Sequence, residues 1–366
     1  MDLFKPLVKE KNLHKNFLAL RNDVAVQKVL NSWLEDFKDR DNKIIKEFQT
    51  TFNSSFWEFY LFACFKELGF SFDFSKAAPD FHLRSKEGNE FFVEAVITNN
   101  ASNEMAEWDR ETIFNDPKLL EEYTNHEKII TRATPRILQA LNAKFEKYEE
   151  SYSKREECNN NPFVIALGTY EQPFFYTQNT NAIRRVLYTY DVPEYIEHNG
   201  EREILGNRYV KAVKKANGTD LDLGLFLKPE FSGVSAVIFS NVATSGKARV
   251  LSKTNDFILV AFEKYNDKGL QPITGIEEIS NYKESLLEGI NIFHNPYAIH
   301  PLSIEEFDHP DITHHYYNPD KEEFYTKIRH EALFYRIVFH LEGQLKQNKN
   351  TMSQMAKNLG LRKISG

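Results

Sequence analysis

The chain has 366 residues, 41% of them hydrophobic and 27% charged, with 46 Lys and Arg against 53 Asp and Glu for a net charge of −7. That composition supports a buried core and excludes a disordered polymer, while the acidic balance means that any nucleic-acid surface must be a local basic groove. Two cysteines, Cys64 and Cys158, exclude a disulfide framework and a zinc ribbon. No apolar run approaches the ~18 residues of a membrane span, and the start of the chain lacks an apolar leader. We therefore expect a soluble, cytoplasmic protein with no membrane partner.

Residues 1–47 read as a helical N-terminal arm, because Val26, Val29, Leu30, Trp33, Leu34 and Phe37 recur at spacings of three and four. Residues 54–69 predict a helix that is apolar all round, hence a core helix, with Ser54 or Ser55 as cap and Gly69 as stop. Phe70 to Phe74 alternates as a strand. Residues 79–85 and 90–97 predict a hairpin around Gly88, its second strand apolar on both faces as a central strand is. Residues 125–150 have helical periodicity, with Pro135 predicting a kink or a break into two helices. A turn at Asn159–Asn161 precedes a buried strand from Phe163 to Leu167. Later, Val234–Ser240 and Phe257–Phe262 read as strands and 321–345 as a helix. The chain thus divides into the arm, a core over 48–170, an α/β extension over 171–345 packed on that core, and a basic tail over 346–366 with Lys346, Lys349, Lys357, Arg362 and Lys363.

The residues that carry chemistry are acids. Asp80, after Pro79, and Glu94 fall on neighbouring strands, which lie about 5 Å apart. Two carboxylates so placed can bracket a hard divalent ion, with the Ala95 carbonyl as a further oxygen ligand. Glu58 sits on the apolar helix beside Leu61, Phe62 and Phe65, where an acid is costly unless partnered. It admits two compatible readings, a capping box with Ser55 or a carboxylate serving the strand acids. His82 shares the strand face of Asp80. Five of the eleven histidines fall in 294–315, at spacings that fit no compact zinc finger.

Glu58, Pro79-Asp80 and Glu94-Ala95-Val96, in that order on helix, strand and strand, resemble the PD-(D/E)xK nuclease superfamily over residues 48–168. The run Phe48-Gln49 with Trp57-Glu58-Phe59-Tyr60-Leu61 is similar to the helix of a bacterial restriction-like group within it. The resemblance implies a restriction-endonuclease-like core, a mixed central sheet flanked by helices. It further implies that Asp80 and Glu94 bind Mg2+ or Mn2+, that Glu58 assists, and that the substrate is nucleic acid, DNA foremost, in bacterial restriction or anti-phage defence. Val96 departs from the pattern, which wants Lys there. The cation is then expected on the following helix, at Lys144, with Arg132, Lys128 and Gln49 contacting nucleic acid. A homodimer would let two strands be cut. The alternative is a catalytically silent nuclease-fold protein that acts as a nucleic-acid-binding or structural subunit.

Overall fold

In the computed structural model, which describes residues 2–39, 42–76, 78–191, 194–198, 201–214, 218, 220–254 and 258–340, the chain opens with three helices, α1 (Lys15–Leu20), α2 (Val24–Trp33) and α3 (Ile44–Thr50). The Asp23 side chain caps α2 by accepting from the Val26 N–H, and Val26, Leu30 and Trp33 are buried along one face.

The core helix is α4 (Asn53–Glu67), and it starts earlier than the serines suggested. Phe52 holds the cap position at φ +48° without a side-chain cap, so Ser54 and Ser55 lie in the first turn and the capping box with Glu58 does not form. Phe52 can hold that turn because its ring packs on Phe48 and Phe56. The far end follows the sequence: Gly69 takes φ +79°, a left-handed turn that glycine accepts without strain.

Strands β1 (Ser71–Phe72), β2 (Phe81–Arg84) and β3 (Glu90–Asn99) follow in antiparallel pairing. β1 is shorter than the Phe70–Phe74 alternation because the Asp73 side chain accepts from the Ser75 N–H at 2.8 Å and turns the chain out of the ladder. After α5 (Arg110–Phe114) and α6 (Pro117–Thr124) comes α7 (His126–Glu150), one helix that Pro135 does not divide. The apolar positions on both sides of the proline, Ile129, Ile130 and Ala133 before and Ile137, Leu138 and Leu141 after, are all buried, so packing holds a single course. The short α8 (Glu156–Asn159) takes Asn159 out of the expected turn and leads into β4 (Phe163–Tyr170), parallel to β3 and buried at every residue.

The later half contains α9 (Asn181–Tyr188), small hairpins β5 (Glu194–His198) with β6 (Glu201–Gly206) and β7 (Ala212–Lys214) with β8 (Asp220–Asp222), then β9 (Ala236–Ser240), α10 (Ser245–Leu251), β10 (Ile258–Lys264), β11 (Ile273–Glu278), β12 (Ile290–His294), β13 (Ile312–Asn318), β14 (Glu323–Lys327) and β15 (Leu333–His340). Where a helix was expected over 321–345, the described residues form β14 and β15. Leu333, Tyr335, Ile337 and Phe339 alternate, an aromatic and β-branched period-two pattern, and β15 pairs antiparallel with β10. Residues 341–366, including the expected basic tail, lie outside the described residues.

The main sheet has eight strands in the order β1-β2-β3-β4-β9-β12-β13-β14, and a second sheet runs β11-β10-β15. The architecture is therefore α/β, a large mixed sheet flanked by helices. One apolar cluster lies under α2, α3 and α4 and includes Val93 and Ala95; another lies under α7 and α9 and includes Phe92 and Ile165. The 14% aromatic content goes largely into these layers. Trp57 ties the first layer to the sheet by donating its indole N–H to the Ala166 carbonyl at 3.0 Å, worth about 1 kcal/mol.

Candidate active site at the β2–β3 fork

The β2–β3 ladder ends at Phe81↔Val93. Asp80 is the next residue back, and before it Pro79 has no N–H to continue the ladder. The Asp80 carboxylate takes over, its Oδ2 accepting from the Ala95 N–H at 2.7 Å. β3 runs on alone beside β4, with Glu94 opposite Ile165. Because strand side chains alternate, Val93 and Ala95 join the layer under α4, and Glu94 is directed to the α7 side with Phe92.

On that side Glu94 is 1% exposed. Its Oε1 receives the ammonium groups of Lys144 and Lys147, each at 2.7 Å, and its Oε2 accepts from the Tyr152 hydroxyl at 2.9 Å. Lys144 and Lys147 are three apart on α7 and so share a face. Lys147 also lies over the Tyr152 ring, 5.1 Å from its centroid. Arg155 lies over the same ring and donates to the Ala78 carbonyl at 2.7 Å, fixing the segment that leads into Asp80.

The charges are unequally stabilised. Burial acts to raise Glu94, but the Lys144 and Lys147 ammonium groups outweigh it and hold the carboxyl below its ordinary value. Asp80 is pushed up to about 6 by burial and by the charge of Glu94, against the pull of the Ala95 N–H and the two lysines. Glu58 is pushed up to about 8, by burial first and then by Asp80, Glu47 and Glu94. Burial and Glu94 raise Tyr152 to about 12, which keeps its hydroxyl a donor.

Glu58, Asp80, Glu94 and Lys144 thus share one electrostatic neighbourhood: Glu58 responds to the charge of each of the other three. Ala95 belongs to it through its N–H. The other expected contacts are engaged elsewhere. Arg132 pairs with Glu104 at 3.4 Å and with Glu122, and lies over the Tyr123 ring; Lys128 pairs with Glu122. Gln49 is fully buried. Its carboxamide donates to the Leu3 and Lys5 carbonyls and accepts from the Leu7 N–H, pinning the start of the chain, so it has no surface to offer nucleic acid.

His82 lies between Asp73 and Glu90 at 3.3 and 3.2 Å and stacks on Phe92. In the histidine-rich stretch, His294 and His314 share a 3.0 Å contact between ring nitrogens, and His315 is bracketed by Asn291 and Thr326. Burial and His314 push His294 down to about 3, so it is neutral. Lys147, Tyr152 and Arg155 were not anticipated. The three-residue step from Lys144 was a signal for Lys147; nothing local marked the other two.

The carboxylates and the carbonyl at the fork offer oxygen, the chemistry a hard divalent ion takes, and Asp80 and Glu58 are raised by burial first and by neighbouring carboxylates second. The present arrangement gives Glu94 Oε1 to two ammonium groups, and among the described residues no group of three His, Cys, Asp or Glu side chains is placed to hold a metal ion. Ion entry therefore requires a lysine to move. The Lys147 side chain, 48% exposed against 22% for Lys144, is the freer one. Comparison with known proteins returns no family model, no curated protein and no solved structure that matches the chain.

Proposed function

We propose that the β2–β3 fork is the centre of a divalent-metal-dependent nuclease that hydrolyses phosphodiester bonds in nucleic acid, DNA foremost. The observation that carries the reading is the Lys144 ammonium, delivered from α7 to Glu94 at 2.7 Å while Asp80 is anchored one residue along on the Ala95 N–H. Two acids and a cation meet there although the strand position Val96 supplies no lysine. The order of α4, three antiparallel strands, α7 and a parallel β4 also supports a restriction-endonuclease-like core.

Asp80 and Glu94, with the Ala95 carbonyl, would hold Mg2+ or Mn2+, which supplies an activated water and neutralises a leaving oxygen. The protein's own residues do the rest. Lys144 places positive charge where the phosphate gains negative charge. Lys147, released from Glu94, offers a second cation to the phosphodiester. Glu58, pushed up to about 8, carries a proton at neutral pH and would exchange it with a water at the site. Tyr152 fixes the Glu94 carboxylate through Oε2. A role in defence against foreign DNA, and a homodimer that cuts both strands, belong to the same reading.

A second reading, a silent nuclease fold that binds nucleic acid without cutting it, is favoured by one observation: both lysines already occupy Glu94. Cleavage of plasmid, single-stranded DNA and RNA with Mg2+ or Mn2+ separates the two. The nuclease reading expects metal-dependent cutting that disappears in Asp80→Ala and in Glu94→Ala. Intact binding without cutting under either ion supports the silent reading instead.

A further inference from the structure

A cleft of about 1130 Å³ opens between the main sheet and the second sheet, and none of Glu58, Asp80, Glu94 or Lys144 lines it. It is as large as pockets that take small molecules, ~300–1000 Å³. One wall is built from β12, β13, β14 and the start of α9, presenting Asn291, Thr313, His315, Thr326 and Arg184. The facing wall comes from β10, β15 and the loop after β10, presenting Glu263, Tyr265, Phe334 and Tyr335.

Arg184 is the anomaly. Its guanidinium lies over the rings of Tyr190 and Phe324, at 5.5 and 5.9 Å. Among the described residues its side chain donates to Asn181 Oδ1, and its Nε is buried without a partner. Among the described residues no carboxylate pairs with it. The nearby Asp191 is already held by Arg185 at 2.9 Å and by Arg208. Arg184 is half-buried in the cleft wall with its Nε enclosed; a guanidinium carries five N–H donors in a fixed fork, a shape that suits an anion. Thr180 and Asn181 line the same cleft at the start of α9, where Thr180 makes no side-chain cap, and the first N–H groups of a helix suit an anion. Aromatic rings face this anion subsite across a space far larger than an inorganic ion needs.

We propose that this cleft binds a phosphorylated small molecule of nucleotide size. Its phosphate is received by Arg184 and the N-terminus of α9, and its planar ring lies against Tyr265 and its aromatic neighbours. A guanidinium fork matches phosphate oxygens two at a time, His315 and Thr326 add hydrogen-bonding capacity beside it, and Glu263 accepts from hydroxyl or amino groups on the far side. The site stands apart from the fork, so its ligand is bound rather than cut there.

The test is calorimetric titration of the full chain with inorganic phosphate and with each of the four ribonucleoside 5′-monophosphates. We expect saturable binding of at least one monophosphate, tighter than phosphate alone. We expect that binding to weaken at least tenfold in Arg184→Gln and to stay unchanged in Lys144→Ala. Tyr265→Ser, on the opposite wall, should weaken the monophosphate and leave inorganic phosphate as it was, and it decides the matter if Arg184→Gln does not fold. No saturable binding of any probe at millimolar concentration, equal binding of phosphate and every monophosphate, or undiminished binding in whichever of the two cleft variants folds would overturn the proposal.

Discussion

Two of the carboxylates that are held between two cations, Glu94 and Glu284, sit in very different settings. Under the second sheet, Glu284 contacts Lys247 and, at 3.1 Å, Arg336, and the three side chains are at most 1% exposed. Backbone takes further donors: Lys247 also reaches the Ser285 and Glu288 carbonyls at 2.9 and 2.7 Å, and Arg336 the Val242 carbonyl at 3.1 Å. At the fork, Glu94 is equally buried, but the two lysines that reach it are on the rim. A sealed triad has no group to offer a substrate. A buried acid with cations at the surface can redirect them, and that is the physical ground for assigning chemistry to the fork and structure to the Glu284 triad.

The largest expected effect breaks this contrast from the structural side. Glu284→Gln leaves two buried cations without their anion and should cost about 3–5 kcal/mol of stability in urea denaturation. Lys147→Ala at the rim should cost less than about 1 kcal/mol. Equal losses would show that the two clusters serve the same purpose. Next, Lys144→Ala should lower metal-dependent cleavage by about 10²–10³-fold, the loss typical when one charge-stabilising group is removed, with an unfolding midpoint close to the parent's.

The third effect is on pH dependence. Glu58 binds its proton more tightly in the fold than in the unfolded chain, about 8 against an ordinary 4.5. Stability from this group is therefore present at low pH and falls as pH rises through that interval. Asp80 acts in the same direction but completes its change by about 6. Glu94, held low, acts oppositely, and its contribution is lost on acidification. Between about pH 6 and 8 Glu58 is the one of these three still titrating, and the stability–pH slope from chemical denaturation there should be less negative in Glu58→Gln than in the parent. Tyr152→Phe removes one hydrogen bond to the charged Glu94 and should cost about 1.5–3 kcal/mol in urea denaturation.

How much of this was legible depended on the range of the interactions. The α4 helix and the β2–β3 hairpin were readable because local signals mark them: an unbroken apolar run closed by Gly69, and the turn at Gly88 between two strand patterns. Asp80 and Glu94 came with the hairpin, and Lys144 with the helical face that crosses it. The role of Gln49 was not readable, since the carbonyls and N–H it bonds lie 42 to 46 residues away. The strands over 323–340 were misjudged as helix because their pairing with β10 and β13 is not visible along the chain. Phe52 at the α4 cap was hidden for a similar reason, since its strained backbone is held by aromatic packing rather than by a capping side chain.

The most direct test is a crystal of the full chain soaked in Mn2+, read by anomalous scattering. The account expects a peak between the Asp80 and Glu94 carboxylates, with the Lys147 ammonium withdrawn from Oε1 and the Tyr152 hydroxyl still on Oε2. Manganese bound elsewhere, or both lysines still seated on Glu94 at saturating metal, would contradict it.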